Sequence, residues 1–433
     1  MHADVIIIGH RIEAHLLSYL FSRRGFRTLL LSPGHDEHQK QRLIWLDRHL
    51  AGRLKPVGPP VDTILARHVN FQLWSPDEKN SLTLRELPLL VVDEVKWCRF
   101  LELQCSATRN FRALKGHPIS GIHWERGAVG GVVLGDSKDI INARLVIECD
   151  TVGSNLQSHH KSDLKFPEMG KYYGKLANLQ RAVGAAASAW QLGAMSIHVN
   201  PGRHLFLAYR FGRDELELSA IVRPGVKADP QRIVGHAYQE AGLDECKVIG
   251  QFNHLPYLGP PLPILCRDNY LAAGEAAGHC NPFIPYDRTS SVANAYVASV
   301  AAIHCLGEGL LSMSDLWEYP RSVATDEAKR QAAGYVLASS LCSLETRHLD
   351  NLFATGLFDT YVFACLMRNQ SVSLDLLDSM AKSSKALTRP GSLLAWRKIR
   401  RRADKLKGIY GSIPNDYNPL DAAAWQDSIV SLW

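Results

Sequence analysis

The first thirty residues contain the pattern that most restricts the fold. Val5–Ile8 is a short run of β-branched residues, too brief for a helix, and it predicts a buried strand. The next segment has apolar residues at helical spacing and ends at Gly25. Thr28–Leu31 predicts a second buried strand. This order predicts a βαβ unit, and with it an α/β fold with a central parallel sheet.

The turn after the first strand is where such a unit binds the phosphates of a dinucleotide. The pattern G-x-G-x-x-G/A falls on Gly9, Arg11 and Ala14. Gly9 suits the tight turn, and Ala14 is small enough for close helix–strand packing. Arg11 replaces a glycine, so its side chain either fills the phosphate position or extends over it as a cation. Ser32 stands where an acidic residue usually binds the ribose. The motif therefore predicts a Rossmann-like fold and leaves open whether a dinucleotide is bound.

Composition limits the class of protein. With 433 residues, the chain is long enough for two or three domains. It has no run of about 18 apolar residues, and Asp4 precedes a strand, so we expect neither a transmembrane helix nor a signal peptide. Its nine cysteines are scattered without a C-x-x-C pair. We therefore expect a cytoplasmic protein with reduced thiols and no metal site.

The rest of the chain divides into three regions. Before residue 160, the spacing predicts a helix from His35 to about Leu54, a strand and hairpin within 56–88, a strand over Leu89–Asp93 and a helix over Val95–Ala107. Three β segments follow, over Ile119–Trp124, Ala128–Leu134 and Ile140–Ile147. Alternating runs over residues 161–264 predict an antiparallel sheet, with a helix over Ile233–Ala241. A strand over Tyr270–Ala273 and a helix from Ser290 to Leu306 follow. Residues 311–433 read as mostly helical, including helices over Asp326–Leu341 and Asp350–Met367.

Two further segments complete a family pattern with the N-terminal unit. Val146–Ser154 is similar to "V-I-x-A-D-G-x-x-S", in which Asp150 and Ser154 match. Tyr270–Pro282 is similar to "G-D-A-A-G-x-x-x-P", and the residues that match are Gly274, Ala276, Ala277, Gly278 and Pro282. Glu275 replaces the aspartate of that motif. In order and spacing, the three segments resemble flavoproteins of the aromatic hydroxylase and geranylgeranyl reductase superfamily over residues 1–310.

The resemblance implies an FAD-binding domain formed by residues 1–160 and 265–310. It implies a substrate domain over 161–264, with a contribution from about 56–88, and a helical region over 311–433. FAD is the implied cofactor, with Glu275 on a ribityl hydroxyl and a helix N-terminus near the pyrophosphate. The implied cofactor-binding residues are Gly9, Arg11, Ala14, Ser32, Asp150, Gly274, Glu275, Ala277, Gly278 and Pro282.

The sequence departs from the family where cofactor contacts are expected. Besides Arg11 and Ser32, Glu94 lies about where the family has an arginine, and residues 283–289 lack the usual glycine-rich turn. Together these departures indicate a changed binding mode, a changed cofactor, or none. The scaffold survives them because core packing, not the ligand, holds it together.

Candidate catalytic residues come from the segment that passes the flavin ring in the family. Asp287 and Arg288 are candidates for charge beside the flavin or substrate, and the alternative is a surface ion pair. Cys280 is a third candidate, and the alternative is a buried structural thiol beside a hydrogen-bonded His279. No spacing in the sequence indicates a hydrolase triad or a zinc motif.

The positive charge has its own pattern. The net charge is +6, and much of the excess lies between Arg397 and Lys407. This segment is interpreted as a solvated helix face, as a peripheral membrane contact, or, least favoured, as a nucleic-acid contact; we expect no nucleic acid. Two roles are open for the C-terminal helices at this point: closing over the cleft, and binding a protein partner.

Two functions follow from the sequence. The leading hypothesis is an FAD-dependent oxidoreductase, a reductase or monooxygenase, acting on an apolar molecule such as an isoprenoid, a lipid or a polycycle. The competing hypothesis is a non-redox descendant of the flavoprotein fold: a pseudoenzyme, a binding subunit or an acid–base catalyst.

Overall fold

The computed structural model describes most of the chain. The described residues are 2–32, 42–135, 137–149, 175–182, 194–200, 204–212, 215–222, 226–240, 247–254, 257–281, 283–284, 286–368, 370 and 388–432. Asp150, Ser154 and Pro282, which the sequence pattern assigns to the cofactor site, lie outside these ranges.

A mainly parallel sheet contains the N-terminal unit. Its strands and first helix are β1 (His2–Ile8), α1 (Ile12–Arg23), β2 (Thr28–Ser32), β8 (Phe111–Lys115), β9 (Ile119–Glu125), β10 (Ala128–Leu134), β11 (Ile140–Glu148), β17 (Cys266–Arg267) and β18 (Tyr270–Ala272). The order β17-β18-β11-β1-β2-β8 is parallel from β18 to β8, with β17 antiparallel at one edge. The hairpin β9–β10 joins β11. The βαβ prediction is confirmed, whereas the sequence analysis missed β8.

A second sheet is antiparallel apart from one pair. Its strands, with a helix, are β5 (Val69–Trp74), β6 (Ser81–Leu87), β12 (Lys175–Ala182), β13 (Ala194–Asn200), β14 (His204–Gly212), β15 (Glu215–Val222), α4 (Pro230–Glu240) and β16 (Lys247–His254). The order is β16-β12-β15-β14-β13-β5-β6, and only β13 and β5 run parallel. The hairpin predicted within 56–88 therefore belongs to the same sheet as strands more than a hundred residues later.

A small sheet contains β3 (Leu43–Asp47), β4 (Ile64–Ala66) and β7 (Leu89–Asp93). The helix predicted from His35 to about Leu54 is wrong over Leu43–Asp47, because this strand runs directly into a helix and Leu43, Leu46 and Leu50 happen to have helical spacing. The helix that follows is α2 (Arg48–Arg53), and the Asp47 carboxylate caps it. α3 (Glu94–Ser106) follows β7 directly, as predicted.

The C-terminal region is helical. Its helices are α5 (Thr289–Glu308), α6 (Glu318–Val323), α7 (Lys329–Ser343), α8 (Thr346–Thr355), α9 (Thr360–Met367), α10 (Pro390–Tyr410) and α11 (Pro419–Val430). The helix predicted over Asp350–Met367 is two helices, because Gly356 ends α8 with a φ of +71°. α5 is long and apolar enough to cross a membrane, but 56% of its most apolar window is buried inside the protein, as in a core helix.

Candidate functional site

The three segments of the family pattern meet at one edge of the parallel sheet. Gly9 N donates to Leu31 O at 2.9 Å, and Cys149 N donates to Ile8 O at 2.9 Å. Ala276 N donates to Cys149 O at 3.0 Å. The carboxyl ends of β1, β11 and β18 are therefore neighbours. In open α/β sheets, this edge is where ligands bind.

The loop after β18 is a tight turn. Gly274–Ala277 is a single 3-10 turn that ends at Gly278. The next helix in the described part of the chain, α5, begins at Thr289, within one residue of the predicted start at Ser290. Gly274 and Gly278 have φ values of +60° and +73°, and a Cβ on either would lie 2.9 Å from a neighbouring side chain, that of Glu13 or Tyr257. Only glycine allows this close approach.

A buried carboxylate occupies the N-terminus of α1. Glu94 Oε1 accepts hydrogen bonds from Ile12 N and Arg11 Nε, both at 3.1 Å, and Arg42 Nε donates to Glu94 Oε2 at 2.5 Å. Burial alone raises the pKa of the Glu94 carboxyl, but the positive charges of Arg11, Arg42 and Arg288 outweigh it and hold the pKa below its usual range. Glu94 is therefore ionised, in the position where a dinucleotide phosphate usually lies.

A second ion pair connects the loop after β18 to α1. Arg288 Nη1 donates to Glu275 Oε2 at 2.8 Å and lies 3.7 Å from Glu13 Oε1. Glu13 also accepts a hydrogen bond from the Ser291 hydroxyl. Burial raises the pKa of the Glu13 carboxyl, and Arg288 only partly opposes this. The carboxyl groups of Glu13 and Glu275 thus lie near the same guanidinium nitrogen, Nη1 of Arg288.

Asp287 and Arg288 do not form the surface ion pair that the sequence left as an alternative. Their exposed fractions are 4% and 1%. Asp287 instead accepts hydrogen bonds from Asn281 Nδ2 at 3.2 Å and Thr289 N at 2.9 Å. The partner of Arg288 is Glu275, across the loop, so sequence adjacency was a poor guide to pairing.

His279 and Cys280 are both buried. Burial raises the pKa of the Cys280 thiol well above its usual value, which favours the structural interpretation of that residue. His279 differs from its expected state, because neither ring nitrogen has a hydrogen-bond partner within the described part of the chain. Gln331 Nε2 donates hydrogen bonds to the carbonyl oxygens of Gly278 and Cys280, the residues on either side of His279, at 2.7 and 2.6 Å.

The other predicted positions have structural contacts. Ala14 is fully buried in α1, as close helix–strand packing requires, and Ser32 ends β2 with its carbonyl accepting from Gly116 N at 2.8 Å. The sequence analysis missed Glu13 and Arg42 as members of the site. The signal for Glu13 was a charged residue inside the fingerprint, next to Arg11.

The donor set suits a diphosphate, but the position is filled. Arg11, Arg42 and the amide of Ile12 are the groups that bind phosphate oxygens at helix N-termini. All three contact Glu94, so a diphosphate fits there only when the Glu94 carboxylate moves away.

The chain matches no protein-family model and no curated protein sequence. It is similar in structure to a geranylgeranyl bacteriochlorophyll reductase-like protein from Thermoplasma acidophilum, with a TM-score of 0.72 and 12% identity over 92% of this chain and 99% of that one. Pseudomonas aeruginosa PqsL in complex with 2-aminobenzoylacetate matches with a TM-score of 0.57 and 16% identity, over 82% of this chain and 100% of that one. A variant of the halogenase PltM in complex with FAD matches with a TM-score of 0.63 and 12% identity, over 99% and 95%. This chain therefore shares its fold with a reductase-like protein, with PqsL and with a halogenase.

Proposed function

We propose that this chain is an FAD-dependent oxidoreductase, a reductase or monooxygenase, that acts on an apolar substrate. The observation that carries the proposal is the meeting of the Gly9 turn and the Gly274–Gly278 loop at the carboxyl edge of the parallel sheet. A Rossmann-like sheet binds its dinucleotide at this edge.

FAD, when bound, supplies the redox chemistry, and the protein positions the reactants. Arg11, Arg42 and the amide of Ile12 would hold its diphosphate. Glu275 would accept a hydrogen bond from a ribityl hydroxyl, as the family resemblance implies, with Arg288 fixing the orientation of that carboxylate at 2.8 Å.

An aromatic cluster supports an apolar substrate. The ring of Trp45 lies 5.1 Å from that of Phe71, 6.0 Å from Tyr209 and 6.2 Å from Tyr286. Tyr286 belongs to the segment that passes the flavin ring in the family, and its hydroxyl contacts Ser219 Oγ at 2.5 Å. All four side chains are buried in the hydrophobic core, so a substrate bound beside this segment would adjoin an apolar, aromatic surface, as apolar ligands require.

A flavin titration tests the proposal. The protein is titrated with FAD while tryptophan fluorescence is followed, and any co-purified flavin is released and measured by its absorbance. We expect saturable binding of one FAD, weakened about tenfold or more by Arg11→Met, because a charge-assisted hydrogen bond to phosphate is lost. Arg27→Met is the matched control, because Arg27 pairs with Asp4 at the opposite end of the same βαβ unit, with 3.0 Å between Arg27 Nη2 and Asp4 Oδ1.

The second candidate function is a non-redox descendant of the fold. It is favoured by one observation: the α1 amide, Arg11 and Arg42 are already bound by Glu94. Colourless protein whose fluorescence does not respond to FAD would contradict the first proposal and favour this one. Equal affinities of Arg11→Met and Arg27→Met for FAD would mean that Arg11 does not contact the cofactor.

A further inference from the structure

Glu94 joins three elements that are distant in the sequence. It is the first residue of α3, and its amide donates to Arg42 O at 2.9 Å. Its carboxylate then contacts the side chains of Arg11 and Arg42 and the first amide of α1. The backbone of Glu94 is therefore held by Arg42, and its side chain is held at the start of α1.

The contacts of this carboxylate are those of a bound anion. A helix N-terminus offers free amides and a partial positive charge, and guanidinium groups donate to the same oxygens. Burial is the main cause that lowers the pKa of Arg11, and the positive charges of Arg288 and Arg42 lower it further. Three cations therefore lie close together. Such a group of cations is stable inside a protein only when an anion balances it.

A second observation is that two buried polar atoms near this site have no hydrogen-bond partner among the described residues. These atoms are Glu13 Oε2 and Arg288 Nε, on side chains with at most 1% exposure. Glu13 belongs to the first turn of α1, and Arg288 faces it from the other loop. Buried polar atoms are rarely left unpaired unless a water or a ligand completes them.

We infer that Glu94 is an internal ligand of the anion site at the start of α1, which competes there with the diphosphate of an incoming dinucleotide. The carboxylate stands in for the phosphate, so the site is closed until Glu94 leaves its two arginines. The inference rests on the proposed function only for the identity of the incoming group.

The experiment compares three full-length proteins: wild type, Glu94→Gln and Glu102→Gln. Glu102 is on the same helix and pairs with exposed Lys115 at 2.7 Å, so it is a matched loss of charge away from the site. Binding of inorganic pyrophosphate and of FAD is measured by calorimetry. We expect Glu94→Gln to bind pyrophosphate about tenfold or more tightly than the other two proteins, because the competing charge is gone.

Pyrophosphate binding can be measured even if Glu94→Gln is less stable than wild type. A ligand that binds only the folded state raises the melting temperature, so pyrophosphate should stabilise Glu94→Gln and leave Glu102→Gln unchanged. Glu94→Asp retains the charge on a shorter side chain. It should bind pyrophosphate with intermediate affinity, and this variant tests the inference if Glu94→Gln does not fold.

The outcomes separate the two proposals. If folded Glu94→Gln, or Glu94→Asp in its place, binds pyrophosphate no better than wild type, Glu94 is only a structural ion-pair partner and the inference is wrong. If wild type binds FAD as tightly as Glu94→Gln, the inference is also wrong, although the proposed function stands. If Glu94→Gln gains pyrophosphate affinity and no protein binds FAD, the inference stands and the proposed function fails.

Discussion

His279 is a buried titratable side chain that makes the folded state sensitive to acid. Burial lowers its pKa from 6.5 to about 4, and Glu327 opposes this only weakly. Between these two values the unfolded chain binds a proton on His279 and the folded chain does not. The free energy of unfolding therefore falls as the pH falls from about 6.5 to about 4.

We predict that His279→Leu removes this dependence. The loss of stability attributable to His279 is on the order of 3 kcal/mol across the interval. The raised pKa of Glu13 acts in the opposite direction, so wild type and variant are compared by urea denaturation at each pH. The exposed His68, replaced by leucine, is the control. A constant difference between wild type and His279→Leu would contradict the prediction.

At this scale, the sequence predicted contiguous motifs and missed distant pairs. Gly9, Ala14 and Gly274 stand in short patterns, so their conformational roles were recognisable. Glu94 was noticed only as a departure from the family, because its partners Arg11 and Arg42 are 83 and 52 residues away in the sequence. Local patterns encode turns and helix faces, whereas a buried ion pair depends on the tertiary fold.

At the scale of elements, periodicity succeeded where one face of an element is buried. It succeeded for α1, α3 and the hairpin β5–β6, and it failed for β3, which runs directly into α2 so that Leu43, Leu46 and Leu50 have helical spacing. The hairpin β9–β10 was also predicted, and its junction with β11 depends on a glycine. Gly131, with a φ of +154°, lies opposite Asn142, and a Cβ there would be 2.0 Å from Ile141 O.

We predict that Gly131→Ala destabilises the protein by about 3–5 kcal/mol, the sum of backbone strain and a clash with a backbone atom that cannot move aside. Gly127→Ala is the control, because Gly127 also has a positive φ, +86°, but no heavy atom lies within 4 Å of the added Cβ. It should cost about 1–2 kcal/mol. Denaturant titration measures both values, and equal stabilities would mean that β10 does not pack against β11 at this residue.

At the scale of the molecule, the C-terminal helices share the core of the sheet that forms the site. Tyr410, at the end of α10, donates its hydroxyl proton to Pro261 O at 2.5 Å, and Trp317 Nε1 donates to Pro414 O at 2.9 Å. Leu406 is fully buried. Sequence resemblance was loose in this region because helix packing requires apolar spacing rather than particular residues.

The basic residues of α10 lie on the face that this packing leaves in solvent. Arg397 and Arg401 are exposed, whereas Trp396 and Ile399 are buried against the protein. Leu394, which is 64% exposed, is the large apolar residue of α10 that faces solvent. We therefore propose that any membrane contact of this helix is electrostatic, without insertion of its aromatic side chain.

We predict that the protein sediments with vesicles that contain phosphatidylserine at low salt, and is released as salt screens the attraction. Vesicles of phosphatidylcholine alone should not bind it, because the apolar face of α10 is already packed. The double variant Arg397→Glu/Arg401→Glu should lose binding, since each cation near an anionic surface is worth about 1 kcal/mol. The control Arg53→Glu/Arg67→Glu changes the net charge equally at exposed positions of other elements. Binding that does not depend on salt would indicate insertion of apolar side chains. If the protein binds neither kind of vesicle, the basic face of α10 is only a solvated helix face and the prediction is wrong.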